Sequence, residues 1–163
     1  MLAYLCTPMD AAGDAGTLWR RKLAPFLRDQ LGHRVFDPVE DSRKCLSDEE
    51  AANFAAWQTT DLDRFRRAAR RIVAFDLDLL EHKADYLICL WDANSPRNAG
   101  APAEVVVAHR KGIPVYLVAP LPVEQINSWV LGCSDQVFSS VEDLKDYLAA
   151  RFAREKQTHL WKD

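Results

Sequence analysis

Two stretches decide the fold: Ala84-Asp-Tyr-Leu-Ile-Cys-Leu-Trp91 and Ile113-Pro-Val-Tyr-Leu-Val-Ala119. Each is a short apolar run, the pattern of a strand buried on both faces of a sheet. A loop and a helix join them, and the helix is predicted to begin near Pro102 and to end at Gly112. A strand, helix, strand order of this kind implies that the two strands pair in parallel.

The same alternation extends through the rest of the chain. Further strands are predicted at residues 2–7, 33–37 and 136–139, and further helices at residues 17–31, from residue 60 to about residue 80, and at residues 141–152. This order predicts an α/β fold, a three-layer sandwich of doubly wound, flavodoxin-like type with a five-stranded, mostly parallel sheet. We expect one domain at residues 1–153 and a C-terminal tail at residues 154–163.

The composition narrows the classes of function. A chain of 163 residues that is 48% apolar is long enough to bury one core. Its formal net charge of -3 lacks a strong positive field, so nucleic acid is not an expected partner and small ligands are favoured. Four cysteines without a CxxC pair, and no export signal, predict a reduced, cytoplasmic protein. No stretch approaches 18 apolar residues, so no membrane contact is expected.

Several motifs common in this fold class are missing from the sequence. No strand is followed by GxGxxG and no GxxxxGK[ST] occurs, which argues against a dinucleotide site and a P-loop. The four histidines are scattered and none belongs to HExxH or to a cysteine and histidine cluster. A GxSxG nucleophile elbow is also missing. We therefore expect neither a cofactor nor a metal.

A carboxylate in the loop and helix after Trp91 is the first candidate for chemistry. Ligands of open α/β sheets bind at the carboxyl ends of the strands, which is where this loop lies. Because Pro102 suits a first helical position, Glu104 is predicted in the first turn. The helix dipole alone would favour an acidic residue there. The lack of a capping box and the apolar run 105–108 favour instead a fixed, partly desolvated nucleophile.

A second carboxylate follows the apolar stripe of the predicted helix that begins at residue 60. The residues of this stripe, expected to face the core, are Leu62, Phe65, Ala69, Ile72 and Val73. Asp76 continues the same face, whereas Asp78 is rotated by about 200° at 100° per residue. Asp76 is therefore the preferred functional residue. Its alternative role is a helix cap or a partly buried ion pair with an arginine.

Taken together, these motifs resemble the nucleoside 2-deoxyribosyltransferase family, which also contains hydrolases of nucleotide N-glycosidic bonds. The residues that carry the resemblance are Ala3-Tyr-Leu-Cys-Thr-Pro-Met9, Trp19-Arg20, Val35-Phe-Asp-Pro38, Asp76-Leu-Asp-Leu-Leu80 leading to Ala84-Asp85, Gly100 to Glu104 before Gly112-Ile-Pro-Val115, and Ile126-Asn-Ser-Trp129 followed by Ser134-Asp135. They cover nearly the whole chain. The resemblance implies a single nucleoside 2-deoxyribosyltransferase-like domain.

The resemblance also implies roles for particular residues. Glu104 matches the family's nucleophile, which forms a covalent deoxyribosyl-glutamate intermediate, and Tyr4 matches the tyrosine that orients it. Asp76 matches the aspartate near the base and sugar. Asn127 matches a residue lent to the neighbouring subunit, which implies a homodimer or higher oligomer with shared active sites. Further substrate contacts are expected from Thr7, Pro8, Met9, Trp19, Asp92, Asn98, Gly100 and Trp129.

Three functions stay open at this point. The first is transfer of 2-deoxyribose between nucleobases, and the second is hydrolysis of nucleosides or nucleoside monophosphates by the same nucleophile. Asn98, where transferases often have aspartate and the nucleotide hydrolases serine, identifies neither branch. Asp10 and Asp14 in the first loop favour nucleosides over nucleotides, because they would repel a phosphate. The third is a nucleotide- or RNA-binding module that uses the five arginines of residues 64–71.

Overall fold

The computed structural model describes residues 1–6, 15–93, 95 and 99–159. The strands are β1 (Leu2–Cys6), β2 (Arg34–Phe36), β3 (Tyr86–Leu90), β4 (Val115–Val118) and β5 (Gln136–Phe138). The α-helices are α1 (Ala15–Pro25), α2 (Pro38–Asp41), α3 (Asp48–Thr60), α4 (Leu62–Lys83), α5 (Gly100–Arg110), α6 (Ser128–Gly132) and α7 (Val141–His159). A π-helical turn, Phe26–Gln30, follows α1, and 3-10 turns lie at Ser42–Cys45 and Val123–Gln125.

The five strands form one parallel sheet in the order β2-β1-β3-β4-β5. The predicted three-layer, doubly wound class is confirmed, and the mostly parallel sheet is parallel throughout. The strand order reverses at β1, which has β2 on one side and β3 on the other. Ligands of doubly wound folds bind beyond the carboxyl ends of the strands at such a switch point. Cys6 and Cys89, paired in register, mark that edge.

Strand β1 is buried on both faces, and its side chains alternate between two cores. Tyr4 and Cys6 belong to the core under α4, α5 and α6. Ala3 and Leu5 belong to the opposite core, under α1 and α7. The alternation therefore assigns the tyrosine of β1 to the side of the sheet that carries α5.

Two carboxylates anchor the starts of strands at the amino edge of the sheet. The backbone N–H of Leu2 donates to Asp85 Oδ2 (2.5 Å), and that of Val115 donates to Asp135 Oδ2 (2.7 Å). Both bonds satisfy a backbone donor that begins a buried strand. Asp85 and Asp135 therefore act structurally, at the edge opposite to the switch point.

The start of α3 is fixed by hydrogen bonds of its N-cap residue. Ser47 is the N-cap residue of α3, and its hydroxyl accepts from the N–H of Glu50. The Glu50 carboxylate in turn accepts from the N–H of Ser47 (2.9 Å), which completes a capping box.

The apolar stripe predicted for α4 is wrong at Leu62 and Val73, whereas Phe65, Ala69 and Ile72 are half-buried. Leu62 and Val73 are 58% and 55% exposed, and the buried residues of α4 are Ala68, Asp76 and Leu80. The reason is that the start of α4 packs on α3 rather than on the sheet, for example through Phe54 and Phe65, whose ring centroids are 4.9 Å apart.

In the part of the chain that the structure describes, α4 and every other helix are too short or too polar to cross a membrane.

Comparing two glycines allows the cost of a positive φ to be measured without a contribution from steric clashes. Gly112 has a φ of +70°, whereas Gly132 lies in α6 with an ordinary φ, and a Cβ added at either would meet no atom within 4 Å. We expect Gly112→Ala to lower the free energy of unfolding by about 1 kcal/mol, because L side chains disfavour positive φ. Gly132→Ala, the matched control, is expected to cause no loss. Urea unfolding of both variants measures the difference, and equal stability would contradict the strain argument.

Candidate active site

Glu104 lies in the second turn of α5, not in the first turn as predicted from Pro102. Helix α5 begins at Gly100, with Ala99 as an N-cap residue that makes no side-chain cap bond, so Pro102 is its third residue. The sequence signal failed because proline is tolerated throughout a first turn and no capping side chain marks the start. The shift places Glu104 fifth in the helix, over the carboxyl end of the sheet.

The Glu104 carboxylate is held by Tyr4. The Tyr4 hydroxyl donates to Glu104 Oε1 at 2.9 Å, and this bond joins the middle of β1 to α5. Tyr4 is fully buried, so its ring has little freedom to move. Burial and the neighbouring Glu104 raise the pKa of Tyr4 far above its ordinary value, so the hydroxyl remains a neutral donor. One carboxylate oxygen is thus fixed by the protein.

The electrostatics of Glu104 reflect its burial. Desolvation raises the pKa of Glu104 to about 7. Hydrogen bonding from Cys6 and Tyr4 lowers this pKa, the negative charge of Asp76 raises it, and the positive charge of Arg20 lowers it. A carboxylate with a pKa near neutrality and a fixed direction fits a catalytic role.

Cys6 is a residue of this site that the sequence analysis did not single out. It is fully buried, and its Sγ lies 3.7 Å from the carbonyl oxygen of Ala101 in the first turn of α5. Its position two residues after Tyr4 on the same strand was the available signal, because alternate strand residues share a face. Burial and the neighbouring Cys89 raise the pKa of the Cys6 thiol, so it acts as a neutral donor.

Asp76 is buried on α4, as its helical phase predicted, whereas Asp78 is exposed. The Ser42 hydroxyl donates to Asp76 Oδ1 at 2.5 Å. Burial raises the pKa of Asp76 to about 6, and the bond from Ser42 opposes that shift. Within the described residues, no salt bridge joins Asp76 to an arginine, so its partner is a hydroxyl rather than the predicted alternative.

A buried ion pair lies beside these carboxylates. Arg20 Nε is 3.1 Å from Asp37 Oδ1, and both side chains are largely removed from solvent. Asp37 also caps α2 by accepting from the N–H of Val39. The charge of Arg20 acts on Glu104, as its effect on that pKa shows. Arg20 was not among the predicted site residues, although it belongs to the Trp19-Arg20 motif.

The remaining predicted residues are less closely associated with Glu104. Trp19 packs in the core on the other side of the sheet, and Gly100 is the first residue of α5. Asp92 forms a turn in which its Oδ1 accepts from the N–H of Ser95 (3.0 Å). Asn127 caps α6, its Oδ1 accepting from the N–H of Trp129 (2.9 Å), and Trp129 is 70% exposed. Four predicted contacts lie outside the described residues: Thr7, Pro8, Met9 and Asn98.

The arginine cluster of residues 64–71 is part of a helix pair. Arg64 Nη1 lies 3.2 Å from Glu49 Oε1, and Arg71 forms a salt bridge with Glu50, so both connect α4 to α3. Exposed ion pairs of this kind contribute little to stability, because solvent screens their charges. No group of three potential metal ligands occurs among the residues whose positions are described.

We expect Glu104→Gln to stabilise the protein at alkaline pH. A pKa raised from 4.5 to about 7 means that the folded state binds more protons than the unfolded chain between those values. Stability from this group is therefore lost as the pH rises, on the order of 3 kcal/mol once Glu104 is ionised. A neutral glutamine avoids this loss, so the melting temperature should exceed that of the wild type near pH 8.5 and match it near pH 4.5. The control is Glu124→Gln, at an exposed site; a pH-independent difference would contradict the assignment.

Comparison with solved structures places this geometry in a known fold. A 2-deoxyribosyltransferase from the psychrotolerant bacterium Bacillus psychrosaccharolyticus matches with a TM-score of 0.69 at 24% identity, over 93% of this chain and 96% of that chain. A conserved protein from Enterococcus faecalis V583 matches with a TM-score of 0.59 at 18% identity, over 93% and 98%. No protein-family model and no curated protein matches the sequence. The resemblance found in the sequence is therefore confirmed at the level of the fold.

Proposed function

We propose that this chain is a nucleoside 2-deoxyribosyltransferase, an enzyme that cleaves the N-glycosidic bond of 2′-deoxynucleosides and passes the sugar to another nucleobase. The observation that carries the proposal is the hydrogen bond from Tyr4 to Glu104 at the switch point of the sheet. A solved 2-deoxyribosyltransferase with the same fold supports it. No cofactor is needed for this chemistry.

In the first step, a carboxylate oxygen of Glu104 attacks the anomeric carbon of the sugar. A bond forms between this oxygen and C1′ while the bond from C1′ to the base nitrogen breaks, and its electron pair stays on the base. A proton delivered to the base makes it a better leaving group, and Asp76 is the proposed acid. The product of this step is a deoxyribosyl ester of Glu104.

In the second step, a nitrogen of the incoming base attacks C1′, the carboxylate of Glu104 leaves, and the ionised Asp76 takes the proton of that nitrogen and is restored as the acid. Two displacements at the same carbon retain the anomeric configuration. Tyr4 supports both steps, because its hydroxyl stabilises the negative charge on Oε1 whenever Glu104 is free. If water replaces the base, the same intermediate gives hydrolysis, which is the alternative activity of this site.

We further propose that the active site is completed in a homodimer or higher oligomer. Asn127 and Trp129 lie at the start of α6, and Trp129 is exposed in the monomer. Large exposed aromatic side chains are common where proteins associate. Sedimentation of the wild type and of Trp129→Ala would show whether this residue supports association.

The reaction is tested by incubating the protein with several deoxynucleosides and free adenine, followed by chromatography. We expect new deoxyadenosine that requires the added base, whereas release of base without an acceptor would indicate hydrolysis. Glu104→Gln and Glu104→Ala should lower turnover at least a thousandfold, roughly the effect of removing a covalent nucleophile. Asp78→Asn, at an exposed position of α4, is the control and should keep the wild-type rate. Retention of most activity by both Glu104 variants would overturn the assignment.

The pH dependence offers a second test of the same nucleophile. Because Glu104 must be ionised to attack and Asp76 protonated to donate, kcat/KM should follow a bell-shaped pH profile set by pKa values of about 7 and about 6. Tyr4→Phe removes a hydrogen bond that lowers the pKa of Glu104, so the profile should move to higher pH. Asp76→Asn removes the proposed acid, so the fall in kcat/KM at alkaline pH should disappear. An alkaline limb that persists unchanged in Asp76→Asn would contradict this account.

A further inference from the structure

The segment between β2 and α3 brings a buried hydroxyl to the candidate site. Ser42 is 1% exposed, at the junction of α2 and the 3-10 turn that follows it. A buried hydroxyl needs a hydrogen-bond partner, and that of Ser42 is Asp76, 34 residues further along the chain. The bond is therefore tertiary and joins this segment to the middle of α4.

Several bonds fix the place of Ser42. The segment begins at Asp37, which is held by its ion pair with Arg20. The backbone N–H of Asp37 donates to Asp41 Oδ2 at 2.9 Å, and the N–H of Ser42 donates to the carbonyl oxygen of Pro38. Backbone and side-chain hydrogen bonds thus fix this turn independently of the bond from Ser42 to Asp76. The Ser42 hydroxyl therefore has a defined position relative to Asp76.

We propose that Ser42 is a positioning residue for the reaction: its hydroxyl fixes the Asp76 carboxylate and keeps Oδ1 as an acceptor, so that the exchangeable proton of Asp76 is carried on Oδ2. This inference rests on the proposed function, in which Asp76 delivers a proton to the leaving base. It adds a residue that does not itself touch the substrate.

The position of the proton on Asp76 follows from the single hydrogen of the Ser42 hydroxyl. A serine hydroxyl has one hydrogen, and here it is directed at Asp76 Oδ1. When Asp76 binds a proton, the oxygen that already accepts a hydrogen bond is the less basic one, so the proton resides on Oδ2. The acid is then presented from one atom in one orientation, which proton transfer to a bound base requires.

The charge of Asp76 acts in turn on Glu104 on α5, Tyr4 on β1 and Cys45 on the same 3-10 turn as Ser42. Of these, only Glu104 carries a charge near neutral pH, because burial raises the pKa of both Tyr4 and Cys45. The hydroxyl of Ser42 lowers the pKa of Asp76. Removing this hydroxyl should therefore raise the pKa of Asp76, which a loss of packing would not do.

The first measurement follows the aspartate carboxyl carbons by NMR during a pH titration of ¹³C-labelled protein. Ser42→Ala should raise the pKa of Asp76, whose signal is identified by its loss in Asp76→Asn. Ser47→Ala is the matched control: it removes a serine hydroxyl that caps α3 and makes no bond to Asp76. An unchanged pKa in Ser42→Ala would overturn the proposal, and so would an equal rise in the control.

The second measurement is turnover of deoxynucleosides. We expect Ser42→Ala to lower kcat about tenfold with little change in KM, the usual effect of losing one hydrogen bond to a charged group. In the Asp76→Asn background the same substitution should have no further effect on kcat. Fully additive losses would overturn the proposal. A wild type that turns over no nucleoside would refute the proposed function instead, and the titration would still decide whether Ser42 controls Asp76.

Discussion

The hydrogen bond between the Tyr4 hydroxyl and Glu104 Oε1 is the interaction on which the candidate site depends. It spans 100 residues of sequence and forms only if β1 is central, if its alternate side chains face α5, and if α5 begins at Gly100. The first two conditions follow from ordinary rules of α/β packing. The fold thereby brings a rigid donor to one oxygen of a buried carboxylate.

Placing acidic groups in this core has an electrostatic cost. Burial raises the pKa of both Glu104 and Asp76, and the negative charge of Asp76 raises the pKa of Glu104 further. The surroundings offset part of this cost with neutral donors, Tyr4 and Ser42, and with the charge of Arg20, itself held by Asp37. Neutral donors stabilise a carboxylate without cancelling its charge, which keeps it reactive. The buried acids lower the stability of the protein at alkaline pH, but they supply the groups that the proposed reaction needs.

Sequence reasoning placed the strands and long helices well, because buried strands are continuous apolar runs and helices end at residues such as Gly112, with its positive φ. It also predicted correctly that the Asp76 side chain is buried. It misjudged the start of α5, which has no capping side chain, and the outer half of α4, which packs on α3. It assigned no role to Ser42, since a lone serine in a polar segment gives no periodic signal. Trp19, although predicted for the site, packs on the opposite side of the sheet.

The amino-acid sequence alone determined the α/β class, the parallel sheet and the two carboxylates worth testing. Hydrophobic periodicity and the alternation of strands and helices along the chain can be read from short stretches of sequence. The family resemblance had already paired Tyr4 with Glu104, but only the tertiary structure decided which other polar groups meet the two carboxylates. Tyr4, Cys6 and Ser42 reach Glu104 and Asp76 across long separations in sequence. Such contacts depend on the register and rotation of whole elements, which no local pattern encodes. The pKa values near neutrality arise from the same assembly, because desolvation exists only once the core has closed around the acids.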